Sequence, residues 1–383
     1  MKNSGIEWLQ EIPQEWKLYP LGVFLKERKE KVSDLEYTPL SVTKKGIVLQ
    51  LENAAKSDAH DDRKKVCRND FVINSRSDRK QSCGLSSYNG SVSLINIVLN
   101  ITKYNPNYIN YLLNNCMFAE EFYSQGHGIV ADLWTTRYSE MSKIVLPFPS
   151  LNEQEKIADY LDKKVSKIDE TIENNKKSIE LLEEYRNRLI NSIFVSSRFP
   201  RKKIKYCVKL RNEKGKVTEK DTYIGLENIE SFTTKYIKLD NNYTDADGKI
   251  FKKGDLLINK LRPYLAKSYV AEFDGICTGE VEVIKEFDGD INYLKYFTIS
   301  EKYIDMVNSS TYGTKMPRAN WNFIKNILIP MPSTLEQNKI VNKLDNKIEK
   351  IISVIDYRKQ IIEKLEEYKK SLIYEAVTGK IEA

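Results

Sequence analysis

The amino-acid sequence predicts a mixed α+β fold, with two tandem, pseudo-symmetric α/β globular parts joined by two long antiparallel helices that form a coiled coil. Two observations lead there. The stretch Leu146-Pro-Phe-Pro-Ser150-Leu-Asn-Glu153-Gln154 returns as Ile329-Pro-Met-Pro-Ser333-Thr-Leu-Glu336-Gln337, a shift of 183 residues, and self-similarity at this distance marks a duplicated architecture. After each copy, apolar residues recur at spacings of three and four, the period of a helix seam.

The elements follow in chain order, with expected boundaries of 1–149 for the first globular part, 150–197 for the first long helix, 198–332 for the second globular part and 333–383 for the second helix and tail. In the globular parts, Asn69-Asp70-Phe-Val-Ile-Asn74 resembles Gly254-Asp255-Leu-Leu-Ile-Asn259, a turn and a short apolar strand in each. Asn107-Tyr108-Ile-Asn-Tyr111 resembles Asn292-Tyr293-Leu-Lys-Tyr296, each opening an amphipathic helix expected to run to about Tyr123 or Met306. Alternating segments from Gly90 and from Gly279 supply further strands.

Each long helix starts after Pro-x-Pro, which cannot be helix interior. Ser150 with Glu153, and Ser333 with Glu336, then form the Ser-x-x-Glu pattern of a capping box. The seams read Leu161, Val165, Ile168, Ile172, Ile179, Leu182, Leu189 and Leu344, Ile348, Ile351, Ile355, Ile362, Leu365, Leu372. Both are interrupted at matching places, by Asn175 and Arg186 in one and Arg358 and Lys369 in the other, as register devices would be. About 42 helical residues span ~63 Å, beyond the width of a small domain. The short connector Arg198-Phe-Pro-Arg201-Lys202-Lys203 then puts the second globular part at the far end, so the second helix must run back along the first. Gly379 is the expected stop. The pairs Glu183-Glu184 and Glu366-Glu367 read as solvated faces rather than catalytic carboxylates.

Composition narrows the classes. Lys plus Arg number 61 against 54 for Asp plus Glu, a formal charge of +7 that permits an anionic partner without demanding one. No run approaches a membrane span, and the polar start with Glu7 and Glu11 is unlike a secretion signal, so a cytoplasmic location is expected. Five cysteines without a C-x-x-C pair read as packed, reduced thiols, and His60 and His127 are too few for a His-rich metal site.

With its Gly5-Ile-Glu-Trp8-Leu-Gln-Glu-Ile-Pro13-Gln-Glu-Trp16 opening, its two Pro-x-Pro and Glu-Gln helix starts, and the paired helices with the loops before them, the chain resembles the DNA specificity subunits of type I restriction-modification systems. The resemblance implies two target recognition domains, each reading half of a split sequence in double-stranded DNA, on a helical spacer that binds two methyltransferase subunits. It also implies assembly with restriction and motor subunits, and no catalysis by this chain. S-adenosylmethionine, ATP and Mg would belong to those partners, leaving no cofactor here. The helix starts at Glu153, Gln154, Glu336 and Gln337 become the expected docking points. The second unit lacks the Ile-Glu-Trp opening and begins at Lys203-Ile-Lys-Tyr206, which leaves the role of the first fifteen residues open.

The residues agree with that mechanism. Bases are read by forked donors or by paired donor and acceptor groups, and phosphates by cations and amides. In the first unit the candidates are Asn74, Arg76, Arg79, Lys80 and Gln81 in one turn, with His127 and Arg137 before the long helix. In the second they are Lys260, Arg262, Tyr264 and Lys267, with Thr314, Lys315, Arg318 and Asn320. Trp134 and Trp321 read equally as contacts or as core anchors. Two rival classes stay open on the residues alone. A protein-binding scaffold would bind without steep salt dependence. A self-contained methyltransferase or nuclease would need more than Asn105-Pro-Asn-Tyr108, which lacks the second proline of a methylase tetrapeptide and reads as a helix start.

Overall fold

A computed structural model describes residues 1–50, 62–128, 134–195, 199–218, 222–239, 247–311 and 316–381. Helix and sheet are mixed, and the chain divides into two compact units, Met1–Glu173 with Ile361–Ala383 and Asn174–Gln360. This division differs from the sequence boundaries by cutting both long helices, because each half-helix buries its seam within one unit.

Unit one is built on an antiparallel sheet in the order Cys83–Leu85, Phe71–Asn74, Asn96–Asn100, Lys26–Glu27. Its central strands carry unbroken apolar runs, Phe71–Ile73 and Ile97–Leu99, because both faces are covered. Phe71, Ile73, Ile97 and Leu99 point into the main core with the helices. Val72 and Val98 point the other way, toward Leu40, Ile47, Val66 and Val92. That second face is roofed by the strands Arg63–Val66 and Gly90–Ser93 and by the hairpin Leu40–Thr43 and Gly46–Leu49.

Unit two repeats the plan with Val208–Leu210, Val281–Phe287, Leu256–Asn259 and Ser268–Val270. Leu256, Ile258 and Ile284 face the helices, while Leu257, Val281 and Val283 face Ile224, Phe251 and Cys277.

The amphipathic helix expected to run unbroken to Tyr123 is two helices, Pro106–Asn114 and Cys116–Ser124. Asn115 breaks it. Its ψ of 153° is extended, and its side chain accepts from Phe118 N at 2.8 Å, trading helix continuation for a new N-cap. Ser300 does the same between Ile291–Thr298 and Glu301–Asn308. Asn105-Pro106 is a helix start: Asn105 Oδ1 accepts from Tyr108 N at 3.0 Å, and the Tyr108 ring is fully buried.

The long helices run over Leu151–Val195 and Thr334–Val377, 45 and 44 residues. The first capping box closes reciprocally, Ser150 N donating to Glu153 Oε2 at 2.9 Å and Glu153 N to Ser150 Oγ at 3.3 Å. In unit one, Ile157, Leu161, Ile168 and Ile172 share a core with Leu372, Ala376 and Val377, and Lys369 pairs with Asp169 at 2.7 Å. In unit two, Ile190 and Phe194 share one with Val341, Leu344 and Ile348. The early part of one helix meets the late part of the other each time, as an antiparallel pair requires. Asn175 and Arg358, equivalents in the repeat, bond to each other at 2.8 Å; an antiparallel pair of equal repeats makes that contact at its midpoint. Arg186 is also buried, and desolvation lowers its pKa.

The opening segment has a clear task in unit one. Trp8, Leu9, Ile12 and Trp16 are buried in its main core, and Tyr374 of the second helix donates its hydroxyl to Trp8 O at 2.8 Å. The helix stops at Gly379, whose φ of 72° favours glycine and where a Cβ would strike Pro13. All five cysteines are free, and burial pushes the Cys83 and Cys277 thiols up to about 12. No helix among the described residues is long and apolar enough to cross a membrane.

Candidate nucleic-acid interface

In each unit the loop leaving the central strand is stitched to the segment preceding the long helix. In unit one, Thr136 N donates to Ser75 O at 3.0 Å and Ser77 N to Trp134 O at 2.9 Å, flanking an Arg76–Thr135 bridge. In unit two, Ala319 N donates to Lys260 O at 2.9 Å and Arg262 N to Pro317 O at 2.7 Å, flanking Leu261–Arg318. His127 adds a third segment in unit one by pairing with Thr135. Stretches some sixty residues apart in the sequence thus form one surface twice. Buried polar groups anchor it in unit one: Ser75 Oγ donates to Ile95 O at 2.5 Å, Thr136 Oγ1 to Phe122 O at 2.9 Å and Tyr123 OH to Asn74 O at 2.8 Å.

A cleft of about 750 Å³ opens beside the unit-one loop, lined by Asn74, Arg76 and Arg79 and by Thr43, Lys44 and Gln50. A second, of about 540 Å³, holds Lys29, Lys64 and Arg137, and Ile95 borders both. Arg79 is exposed and Arg76 half-exposed, and they share Asp78, at 3.6 and 2.9 Å. Lys80 reaches Glu120 at 2.8 Å. Asn74 Oδ1 accepts from Arg76 N at 3.1 Å, and Gln81 takes the turn's positive φ of 61°. His127 and Arg137 are exposed.

In unit two, Tyr264 is exposed after Pro263, and Arg262 starts that turn in left-handed backbone, φ 53°. Arg318 pairs with Glu280 at 2.7 Å. Asn320 caps the helical turn Trp321–Ile324 through Asn322 N at 2.8 Å. Thr314 and Lys315 lie outside the described residues.

At two of the expected contacts the lysine amine is already engaged within the unit. Lys267 is half-buried, its amine donates to Leu226 O at 2.6 Å, and burial lowers its pKa. Lys260 is likewise half-buried, against Glu282 at 3.0 Å. The Lys260 amine ties the loop to the strand Val281–Phe287, and the Lys267 amine ties it to the turn Leu226–Asn228. Trp321 packs against the unit-two core, whereas Trp134 is exposed.

Sequence reasoning passed over the hairpin with Lys44 and Lys45 at its tip. Its signal was present in the alternation from Leu40 to Leu49 around Gly46, whose φ is 100°. It also passed over Glu280. Among the described residues, no cluster of His, Cys, Asp or Glu could hold a metal ion.

No family profile matches the chain. Over 127 residues it is 28% identical to the specificity subunit of the type I restriction enzyme EcoDI from Escherichia coli, covering 32% of this chain and 28% of that one. Over 280 residues it is 24% identical to the specificity subunit of the type I restriction enzyme MjaVIII from Methanocaldococcus jannaschii, covering 62% of each. The matches thus span less than two thirds of either relative's length. Among solved structures, the HsdS subunit from Thermoanaerobacter tengcongensis superposes with a TM-score of 0.56 at 14% identity, over 97% of this chain and 98% of that one. In sequence and in fold the chain resembles type I specificity subunits. A further chain, from work on complex assembly and conformational transition of the type I R-M system, superposes with a TM-score of 0.77 at 13% identity, covering 97% of this chain and 100% of that one. At such identities both structures speak for the fold alone.

The resemblance to specificity subunits suggested docking at the Glu-Gln helix starts, and the structure corrects this for the glutamines. Gln154 and Gln337 are each 1% exposed. Gln154 accepts from Asn105 N at 3.1 Å and donates to Pro149 O at 3.0 Å. Gln337 repeats this with Asp290 N and Pro332 O, both at 3.0 Å. They latch the long helices to the globular parts and have no surface to offer. Glu153 and Glu336 remain half-exposed. Glu153 is held by Ser150 and by Trp16, whose Nε1 donates at 3.1 Å.

Proposed function

We propose that the chain is a non-catalytic, sequence-specific DNA-binding subunit that reads a bipartite duplex target with one surface in each unit. In the same reading it carries methyltransferase subunits and, with restriction and motor subunits, forms a type I restriction-modification complex. S-adenosylmethionine, ATP and Mg are then used by those partners. The observation that carries this reading is the loop bridge built twice on the same hydrogen bonds, with unlike exposed side chains on each copy. Two unlike surfaces on one repeated frame suit a target whose halves differ. Arginines, an exposed tyrosine and amides at these loops supply donors for base edges and phosphates, and continuous helices of about 65 Å give a spacer comparable with one or two turns of duplex.

The test is to map methylated bases in genomic DNA from cells carrying the chain with its methyltransferase. Adenine methylation at a gapped, asymmetric motif is expected. Methylation at an ungapped motif, or none that depends on the chain, overturns the reading.

A further inference from the structure

Each unit puts an arginine at the loop bridge, but from opposite sides of it. In unit one it is Arg76, on the segment after the central strand, facing Thr135; in unit two it is Arg318, on the segment before the long helix, facing Leu261. In the repeat, Arg76 corresponds to Leu261 and Arg318 to Thr135, so neither arginine has its counterpart in the other copy. Even so, the guanidinium groups are held alike. Arg76 donates from Nε to Asp78 Oδ1 at 2.9 Å and from Nη2 to Oδ2 at 3.0 Å. Arg318 donates from Nε to both Glu280 oxygens at 3.1 Å and from Nη2 to Oε1 at 2.7 Å.

The acids also come from unrelated places. Asp78 lies in the turn Ser77–Arg79, and Glu280 in the turn between Gly275–Cys277 and Val281–Phe287. Side-chain exposures nearly coincide, at 42% and 31% for Arg76 and Asp78 against 44% and 30% for Arg318 and Glu280. Duplication alone does not produce this, since four different positions are used. Stability does not demand it either, because exposed ion pairs add little.

We infer that each arginine–carboxylate pair reads a G·C base pair, an assignment that rests on the duplex-binding role proposed above. The carboxylate takes the Nε and Nη2 edge of the guanidinium and fixes its plane. The Nη1 and Nη2 edge is the fork that matches guanine O6 and N7, and the carboxylate is the acceptor that suits the cytosine N4 amine. Adenine sets its N6 donor against the fork, and thymine offers a single acceptor there. Arg76 and Arg318 are therefore base-contacting residues, and Asp78 and Glu280 both position them and accept from the partner base.

Selection from a randomised duplex pool by the full chain, assembled with its methyltransferase subunits, tests this. The wild type is expected to enrich two half-sites, each with a fixed G·C pair. Arg76→Ala should relax that pair in one half-site by roughly 5- to 150-fold and leave the other half-site unchanged, which also shows that the variant folds. Arg318→Ala should do the reverse. Asp78→Asn and Glu280→Gln should relax the same positions as their arginines. Relaxation at an A·T pair, or an unchanged profile in both arginine variants, overturns the inference. Enrichment of no sequence by the wild type would instead overturn duplex reading itself.

Discussion

Two loops, Asn74–Ser82 in unit one and Asn259–Lys267 in unit two, leave equivalent strands and return through the same hydrogen bond, from Asn74 N to Ser82 O at 2.9 Å and from Asn259 N to Lys267 O at 3.1 Å. Both turn through a positive φ one residue before the return, 61° at Gln81 and 47° at Ala266. The residues between share nothing: Arg76, Asp78 and Arg79 stand where unit two has the half-buried Leu261, the buried Pro263 and the exposed Tyr264. Beneath the loops the likeness returns. Arg28 grips Asp70 at 2.7 and 3.1 Å, and Arg211 grips Asp255 at 2.6 and 3.3 Å. The frame is fixed by buried polar contacts, whose loss is costly, while the exposed positions are left to the chemistry of whatever is bound.

The sharpest way to break that comparison is to remove the buried acid in each unit. Asp70 also accepts from Cys67 N at 2.8 Å and Asp255 from Lys252 N at 2.9 Å, so the bonds to the two acids match. Asp70→Ala and Asp255→Ala should each cost about 3–5 kcal/mol, since removing one partner strands a charge with little access to water. Hydrogen exchange resolved along the chain should show each loss centred on the unit that carries the change. If one variant loses much less than the other, the two frames are not held in the same way.

A smaller loss is expected at the glutamine latches. Gln154→Ala leaves Asn105 N and Pro149 O without their partner, and Gln337→Ala does the same to Asp290 N and Pro332 O. Each should lose roughly 2–3 kcal/mol, the scale of unsatisfied buried amide groups, measured by urea unfolding. The decisive comparison is with methyltransferase binding. A latch variant that folds should still bind the subunit, whereas loss of binding without loss of stability would return the glutamines to the docking surface.

These latches also mark where the sequence stops being legible. Both long helices could be read from it, because Pro-x-Pro, the Ser-x-x-Glu box and the seam are local patterns set by helix geometry. So could the strands Phe71–Asn74 and Leu256–Asn259, apolar runs bounded by turns. The sequence also picks out the two loop stretches as polar, but not that Ser75 and Lys260 bond across the bridge to Thr136 and Ala319. Such pairings depend on tertiary placement. For the same reason Gln154 reads as an exposed first-turn residue until the amide of Asn105 is placed over it, and Lys267 reads as a free cation until Leu226 O is placed against its amine. Within the amphipathic helix, Asn115 carries both readings, since an asparagine is tolerated in a helix and favoured as a cap.

The finest contrast between the units is at the start of the long helices. The pattern Ser150-x-x-Glu153 recurs as Ser333-x-x-Glu336, but only unit one has the Ile-Glu-Trp opening, and with it Trp16 donating to Glu153 Oε1 at 3.1 Å. The Ser150 hydroxyl, foremost, then the Ser150 amide and Trp16 hold the Glu153 carboxyl below its ordinary 4.5. A carboxyl whose pKa is lower folded than unfolded binds fewer protons in the native state. Its contribution is therefore present above the unfolded value and is lost as pH falls below about 4.5 through the folded value. Glu153→Gln should lower the stability of unit one at pH 7 by no more than ~1 kcal/mol, because the group is partly exposed and screened. Below pH 4.5 the gap between variant and wild type should shrink, giving the variant a shallower acid slope in urea unfolding followed by tryptophan fluorescence. Trp16→Phe should remove a fraction of the same effect by deleting one donor while keeping the ring in the core. Parallel acid slopes for wild type and Glu153→Gln would mean that the opening segment is held by its apolar contacts alone, and that the tryptophan–glutamate bond does not distinguish the two helix starts.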